Sequence, residues 1–249
     1  MPKSAGRTGP GPARKSAHPI DEAIYPPFAG FPADGIGFLR RLKKNNNRPW
    51  FQKHKEEYEE LVRFPMQCLI AALAHRMADV APDVQFSPKH SIFRIYRDVR
   101  FSKNKAPYKT NIAASFDLRG TSGPPESPGL YLGIEPGEIY VGGGLYMPSG
   151  DQLKAIRVAI VSRPEDFLAV VESKKFKKEF GAIEGERLQK SPLGYPKDHP
   201  MIEHLRHKQF YAGVVLKDSA CLRPQFLETV ALVLTDVMPL VRWLAGAVG

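Results

Sequence analysis

A chain of 249 residues, 43% hydrophobic and 25% charged, has an ordinary globular composition and is long enough for one large domain with a substantial buried core. Lysine and arginine outnumber aspartate and glutamate by 36 to 26, and the resulting +10 charge and pI near 9.6 favour phosphate-bearing or otherwise acidic partners without choosing among them. Cys68 and Cys221 have no paired spacing, which argues against a disulfide framework or a zinc site; no apolar run approaches the ~18 residues of a bilayer span and no signal-peptide core is visible, so the cytoplasm is the expected compartment and no membrane partner is expected.

Residues 1–27 are rich in Pro, Gly, Ala and Ser, carry Lys3, Arg7, Arg14 and Lys15, and lack periodic apolar positions. They read as a disordered basic leader, leaving 28–249 as a single domain. Asp34 is placed to cap a short helix with Phe38, Leu39 and Leu42 inward, ending at Asn45-Asn46-Asn47. Asn47 restarts a helix with Pro49 in its first turn. Phe51, His54, Tyr58 and Leu61 recur at helical spacing until Pro65 breaks or bends the chain, and helix resumes through Leu69 and Leu73 towards Asp79.

After Pro82 the segments Ser91 to Phe101 and Asn111 to Arg119 turn β-branched and aromatic and predict strands. Leu130 to Ile134 and Ile139 to Gly143 flank Glu135-Pro136-Gly137-Glu138, a type II turn signature that predicts an antiparallel hairpin. Ser149 with Gln152 and Ser162 with Glu165 have capping-box spacing and introduce two helices, with Leu153, Ile156 and Ile160, then Phe167, Val170 and Val171, facing inward. Gly181 to His199 reads as connector and Gln209 to Leu216 as a strand. A last helix from Pro224 carries Phe226, Val230, Val233, Val237, Val241 and Leu244 on one face and is expected to kink at Pro239. Strands in the middle and helices at both ends predict an α+β fold: an antiparallel sheet packed by the terminal helices.

Alternation along Ser91 to Phe101 puts Arg94, Tyr96, Asp98 and Arg100 on one face and Phe93, Ile95, Arg97, Val99 and Phe101 on the other. An arginine on the apolar face needs an internal carboxylate, or a bulge that turns it outward, so Arg97 reads as an internal ion pair. Arg94, Arg100, Lys105 and Lys109 combine planar paired donors with ammonium charge and can hold a phosphate or carboxylate; Asp98 among them should stay ionised and orient two arginines. Tyr108 can hydrogen-bond such a ligand or plug the core edge. The candidate ligand-binding set is therefore Arg94, Arg97, Asp98, Arg100, Lys105, Tyr108 and Lys109.

Other features carry plainer readings. Gly142-Gly143-Gly144 inside a strand calls for a bulge or for close approach by another backbone or a ligand, and the lack of a nucleotide-binding fingerprint favours bulge or packing. His199, His204 and His207 lack metal-ligand spacing and read as solvated, Trp50 as packed inward, and Lys174-Lys175-Phe176-Lys177-Lys178 as an exposed helical face. No nucleophile elbow or Cys-His pairing is evident, and no catalytic residue, cofactor, metal or oligomeric state is specified.

The spacing Arg-x-x-Arg-Asp-x-Arg-Phe-x-x-x-Lys-x-x-Tyr from Arg94 to Tyr108 resembles the hallmark of the DUF2461 family of bacterial and fungal proteins. The resemblance extends from about Phe31 to Leu244. It includes Asn46-Asn47-Arg48 with Trp50-Phe51, Gly129-Leu130-Tyr131-Leu132, Gly142 through Gly150, Gly194-Tyr195-Pro196, His199-Pro200 and Lys208-Gln209-Phe210. It implies a family and no particular reaction. The leading expectation is an intracellular domain that binds an anionic, phosphate-bearing small molecule at the Arg94 to Lys109 cluster, with or without a reaction. The alternatives are a nucleic-acid-associated module using the leader, Lys174 to Lys178 and the cluster as one basic surface, and a structural or interaction domain without ligand. A pocket converging on Arg94, Arg100, Lys105 and Tyr108 would favour the first, a convex basic stripe the second, and arginines held by internal carboxylates the third.

Overall fold

A computed structural model describes residues 24–100, 102–119 and 127–249. Most of the leader (1–23) and Phe101 lie outside them. The fold is α+β: helices at both ends of the chain and a four-stranded antiparallel sheet from its middle.

The first helix, α1 (Ala33–Lys44), buries Phe38, Leu39 and Leu42 as the spacing predicts, but Asp34 sits in its first turn and Pro32 holds the cap position. Its C-cap is Asn45, and α2 (Arg48–Lys53) follows with the Asn47 side chain accepting the Trp50 N–H. Then come α3 (Lys55–Tyr58), a π-helical turn (Glu59–Arg63) and α4 (Phe64–Arg76), so Pro65 lies in the first turn of a resumed helix. Proline has no N–H to give the carbonyl four residues back, which here is that of Leu61. The ladder widens in that turn. The Leu61 carbonyl oxygen also lies against Gly35 of α1, where any Cβ would collide with it.

The sheet runs β1 (Ile112–Asp117), β2 (Gly129–Glu135), β3 (Glu138–Leu145) and β4 (Phe210–Leu216), each antiparallel to the next. Pro136-Gly137 turns the predicted hairpin, with Gly137 at φ 99°. Ser91 to Arg100 does not form the continuous strand expected of it. It pairs with β1 at Ile92–Ala114 and with its own returning chain at Tyr96–Tyr108, and then departs into a loop. The alternation survives in the burial: Ile95 is buried and Arg97 and Val99 half-buried, while Arg94, Tyr96, Asp98 and Arg100 are exposed.

On one face of the sheet Ile112, Ile134, Ile139 and Leu216 align across the strands, followed by Ala114, Leu132, Val141 and Val214 and then by Phe116, Leu130, Gly143 and Ala212. The long helix α9 (Phe226–Val248) covers this face, burying all six residues of its predicted stripe and continuing past Pro239. A methyl at Gly143 would stand 2.9 Å from Val241 Cγ2, so the glycine sets how closely the helix approaches. By length and composition α9 could cross a membrane, contrary to the expectation of no such run; half of its most apolar stretch is buried inside the fold.

Between hairpin and last strand lie α5 (Gly150–Ser162), α6 (Pro164–Val171), α7 (Lys174–Phe180) and α8 (Ile202–Leu205). The Ser149–Gln152 capping box forms in full, whereas Ser162 caps nothing. It is still inside α5, and Pro164 in the first turn of α6 sets that start instead. His207 is 1% exposed, so the solvated reading fails for it: its ring lies 5.5 Å from that of Phe210.

Candidate functional site

The basic hairpin is held from behind. The Asn46 side-chain amide donates to the Tyr108 carbonyl (2.9 Å) and accepts the Tyr108 N–H (3.0 Å), while the Tyr108 ring, 3% exposed, stacks on Phe51 at 4.2 Å. Tyr108 therefore plugs the core edge, the second of its two readings. Arg97 is half-buried and donates to the Ala106 carbonyl at 3.3 Å, with no carboxylate partner among the described residues. Among the described residues this backbone acceptor stands where the internal ion pair was expected.

Asp98 clasps Arg100, its Oδ2 accepting from Nη2 at 2.7 Å and its Oδ1 from Nε at 3.1 Å. That clasp, and the Arg100 backbone N–H, hold the Asp98 carboxyl down at about 2. Both groups are exposed. Lys105 donates to the Val99 carbonyl at 3.0 Å and so ties the loop to itself. Burial and then Arg94 lower the Lys109 ammonium, which stands 4.9 Å over the Phe93 ring. Asp98 thus serves Arg100, Lys105 the loop backbone and Tyr108 the core; Arg94 and Lys109 remain as neighbouring cations beside Phe93.

The concave site lies elsewhere, on the sheet face opposite α9. Three rows cross it: Ala113, Gly133, Tyr140, Val215; Ser115, Tyr131, Gly142, Gly213; and Asp117, Gly129, Gly144, Tyr211. Each tyrosine has a glycine directly opposite on a neighbouring strand, so the rings lie over bare backbone: a Cβ on Gly213 would stand 2.6 Å from the Tyr140 hydroxyl, and one on Gly133 the same distance from that of Tyr131. Gly142 and Gly144 also sit where a Cβ would strike the backbone of β4, and Gly144 has φ 140°, which bears out the close-approach reading of the triple glycine.

The result is a cleft of about 600 Å³. Phe93, Tyr131, Tyr140, Tyr211 and Tyr146 form a chain of rings along it, with successive centroids 6.4, 6.2, 6.4 and 5.5 Å apart. Its charged lining residues are Asp117, Glu138 and Glu184, with no lysine or arginine among the described ones. Glu184 accepts from the Tyr140 hydroxyl (2.9 Å) and the Gly213 N–H (3.0 Å). Asp117 Oδ1 is buried without a hydrogen-bond partner among the described residues, and burial raises its carboxyl. Burial likewise raises the phenols of Tyr131, Tyr140 and Tyr211, which therefore stay neutral donors.

None of the sequence-predicted set is among the described residues that line this cleft; Phe93, under the Lys109 ammonium, lines its edge. The signal for the cleft in the sequence is a period-2 alternation of tyrosine and glycine, Tyr131-x-Gly133, Tyr140-x-Gly142-x-Gly144-x-Tyr146 and Tyr211-x-Gly213, less conspicuous than the density of arginine.

The molecule is thus an α+β domain whose sheet is covered by a helix on one face and opens on the other into an aromatic, acidic cleft. The chain belongs to the family described as conserved hypothetical protein (DUF2461), which matches residues 34–243. No curated protein matches the chain.

Proposed function

We propose that this protein is a small-molecule-binding domain whose ligand lies in the tyrosine-lined cleft on the open face of the sheet. The observation that carries the reading is the exchange of packing side chains for glycines beneath three tyrosines, Tyr131, Tyr140 and Tyr211. A sheet face that only had to be soluble would carry polar side chains, and one that only had to be packed would carry aliphatic ones. This face keeps apolar rings around a hollow of drug-sized volume and adds a few buried polar groups, the general composition of a ligand pocket. The test is a fragment titration of tyrosine-labelled protein followed by NMR. Saturable shifts gathered at Tyr131, Tyr140, Tyr146 and Tyr211 are expected; binding confined to other surfaces would reject the assignment.

A second reading keeps the basic hairpin as a seat for an anionic, phosphate-bearing group. Arg94 supports it, being exposed and in no ion pair with the described residues, with Lys109 close enough to be disfavoured by its charge. Protection of the folded state by inorganic phosphate that disappears in Arg94→Ala is its expected signature; protection unchanged by that substitution would count against it.

A further inference from the structure

We infer that the cleft selects an organic cation, a small molecule bearing an ammonium or guanidinium group, an inference that rests on the binding role proposed above. The chain as a whole carries +10, yet the described lining of its cleft carries three carboxylates and no basic side chain. The hollow therefore has the opposite sign to the chain's net charge, and an anion placed there would meet repulsion from Asp117, Glu138 and Glu184.

The uncharged part of the lining favours the same ligand. Aromatic rings present negative faces, and a cation within about 6 Å of a ring centroid gains ~0.5–2 kcal/mol, the more so where water is excluded. The fold already uses this attraction at the edge of the cleft, where the Lys109 ammonium stands over Phe93. That lysine leaves the Phe93 edge unsuitable for a second cation and directs the ligand towards Asp117 and Glu184.

Asp117 supplies the third argument. Asp117 lines the cleft, its Oδ1 is closed off without a donor among the described residues, and a turn of the carboxylate would offer that oxygen to a bound N–H group. Asp117 and Tyr211 end the same row across the sheet, with only Gly129 and Gly144 between them. Three strand spacings separate their backbones by about 14 Å, leaving a slot floored by glycine, with a carboxylate at one end and an aromatic ring at the other.

The experiment uses the full chain with labelled tyrosines and three sets of probes: choline, methylammonium and guanidinium; the neutral carbon isostere of choline, 3,3-dimethylbutan-1-ol, and glucose; and inorganic phosphate. At least one cation should shift the Tyr131 and Tyr211 signals saturably, bind roughly tenfold more tightly than the neutral probes, and weaken by a similar factor in Asp117→Asn. Glu184→Gln serves as the second variant, and the tyrosine spectrum without probe shows that each is folded. Neutral probes or phosphate binding in the cleft as tightly as any cation would overturn the cation while leaving the binding role standing. So would a cation whose affinity neither variant changes. No shift of any cleft tyrosine with any probe would overturn both.

Discussion

On the face of the sheet beneath α9, the row Phe116, Leu130, Gly143, Ala212 fills the space between strand and helix, and its one glycine is there to admit Val241. One residue further along each strand, the row Asp117, Gly129, Gly144, Tyr211 looks the other way and leaves its space empty. The same backbone and the same hydrogen bonds support both. Packing is thus a property of the side chains each face was given, and the two faces should differ in what mutations do to them: stability on the first, recognition on the second.

The largest effect that tests this contrast is Phe116→Ala. The ring is fully buried and lies 4.6 Å from that of Phe86, so its removal should cost about 3–5 kcal/mol in a denaturant titration, whereas Tyr211→Ala on the open face should cost far less and act on ligand binding. Equal losses at the two positions would erase the distinction between the faces.

Acid should expose the packed side next. His207, buried beside Phe210, has its imidazole lowered to about 4, burial being the chief cause, with Arg187 and His204 adding to it. A base held below its unfolded value binds its proton more readily when unfolded, so its contribution is intact above about 6.5 and is lost as pH falls towards about 4. The loss should be on the order of 2 kcal/mol and absent in His207→Phe, measured as stability against pH.

The open face predicts a change of opposite sign. Burial raises the Asp117 carboxyl, so the folded state holds its proton more firmly than the unfolded chain and the carboxylate opposes folding at neutral pH. Asp117→Asn should raise Tm by about 1–3 °C on the scale of a chain this size. A lower Tm would show that the carboxylate holds the fold together. Smallest of all, Arg94→Ala should leave Tm unchanged, since the side chain is exposed and pairs with no described carboxylate.

Much of the architecture could be read from local pattern. The α9 stripe, the Pro136-Gly137 hairpin and the Ser149–Gln152 box each depend on residues within one element, and each formed where its signal stood. Ser162 repeated the capping spacing but was overridden by Pro164, two residues on. Ser91 to Arg100 kept its alternation without a ladder, because it pairs with β1 at one end and with its own returning loop at the other. The cleft was least legible. Asp117, Tyr140, Glu184 and Tyr211 lie far apart in the chain, and only the register of β1 to β4 and the bridge from Glu184 to Tyr211 bring them to one face. A cluster of charges that is contiguous in sequence is easy to see and here serves largely to pin its own loop; a site assembled by register is not.

The Asn46 clasp on Tyr108 also bears on how the protein keeps to itself. Pro107 and Lys109 turn their backbone groups inward to Arg97 and Ile95, so those of Tyr108 face outward, as at any sheet margin. A margin with free donors and acceptors is a template for another chain. The Asn46 carboxamide offers one acceptor and one donor in the place where a neighbouring strand would offer them, and it ends the series, since a side chain has no further edge to extend. Asn46→Ala would uncover that margin, with self-association on concentration as the expected result, measured by light scattering.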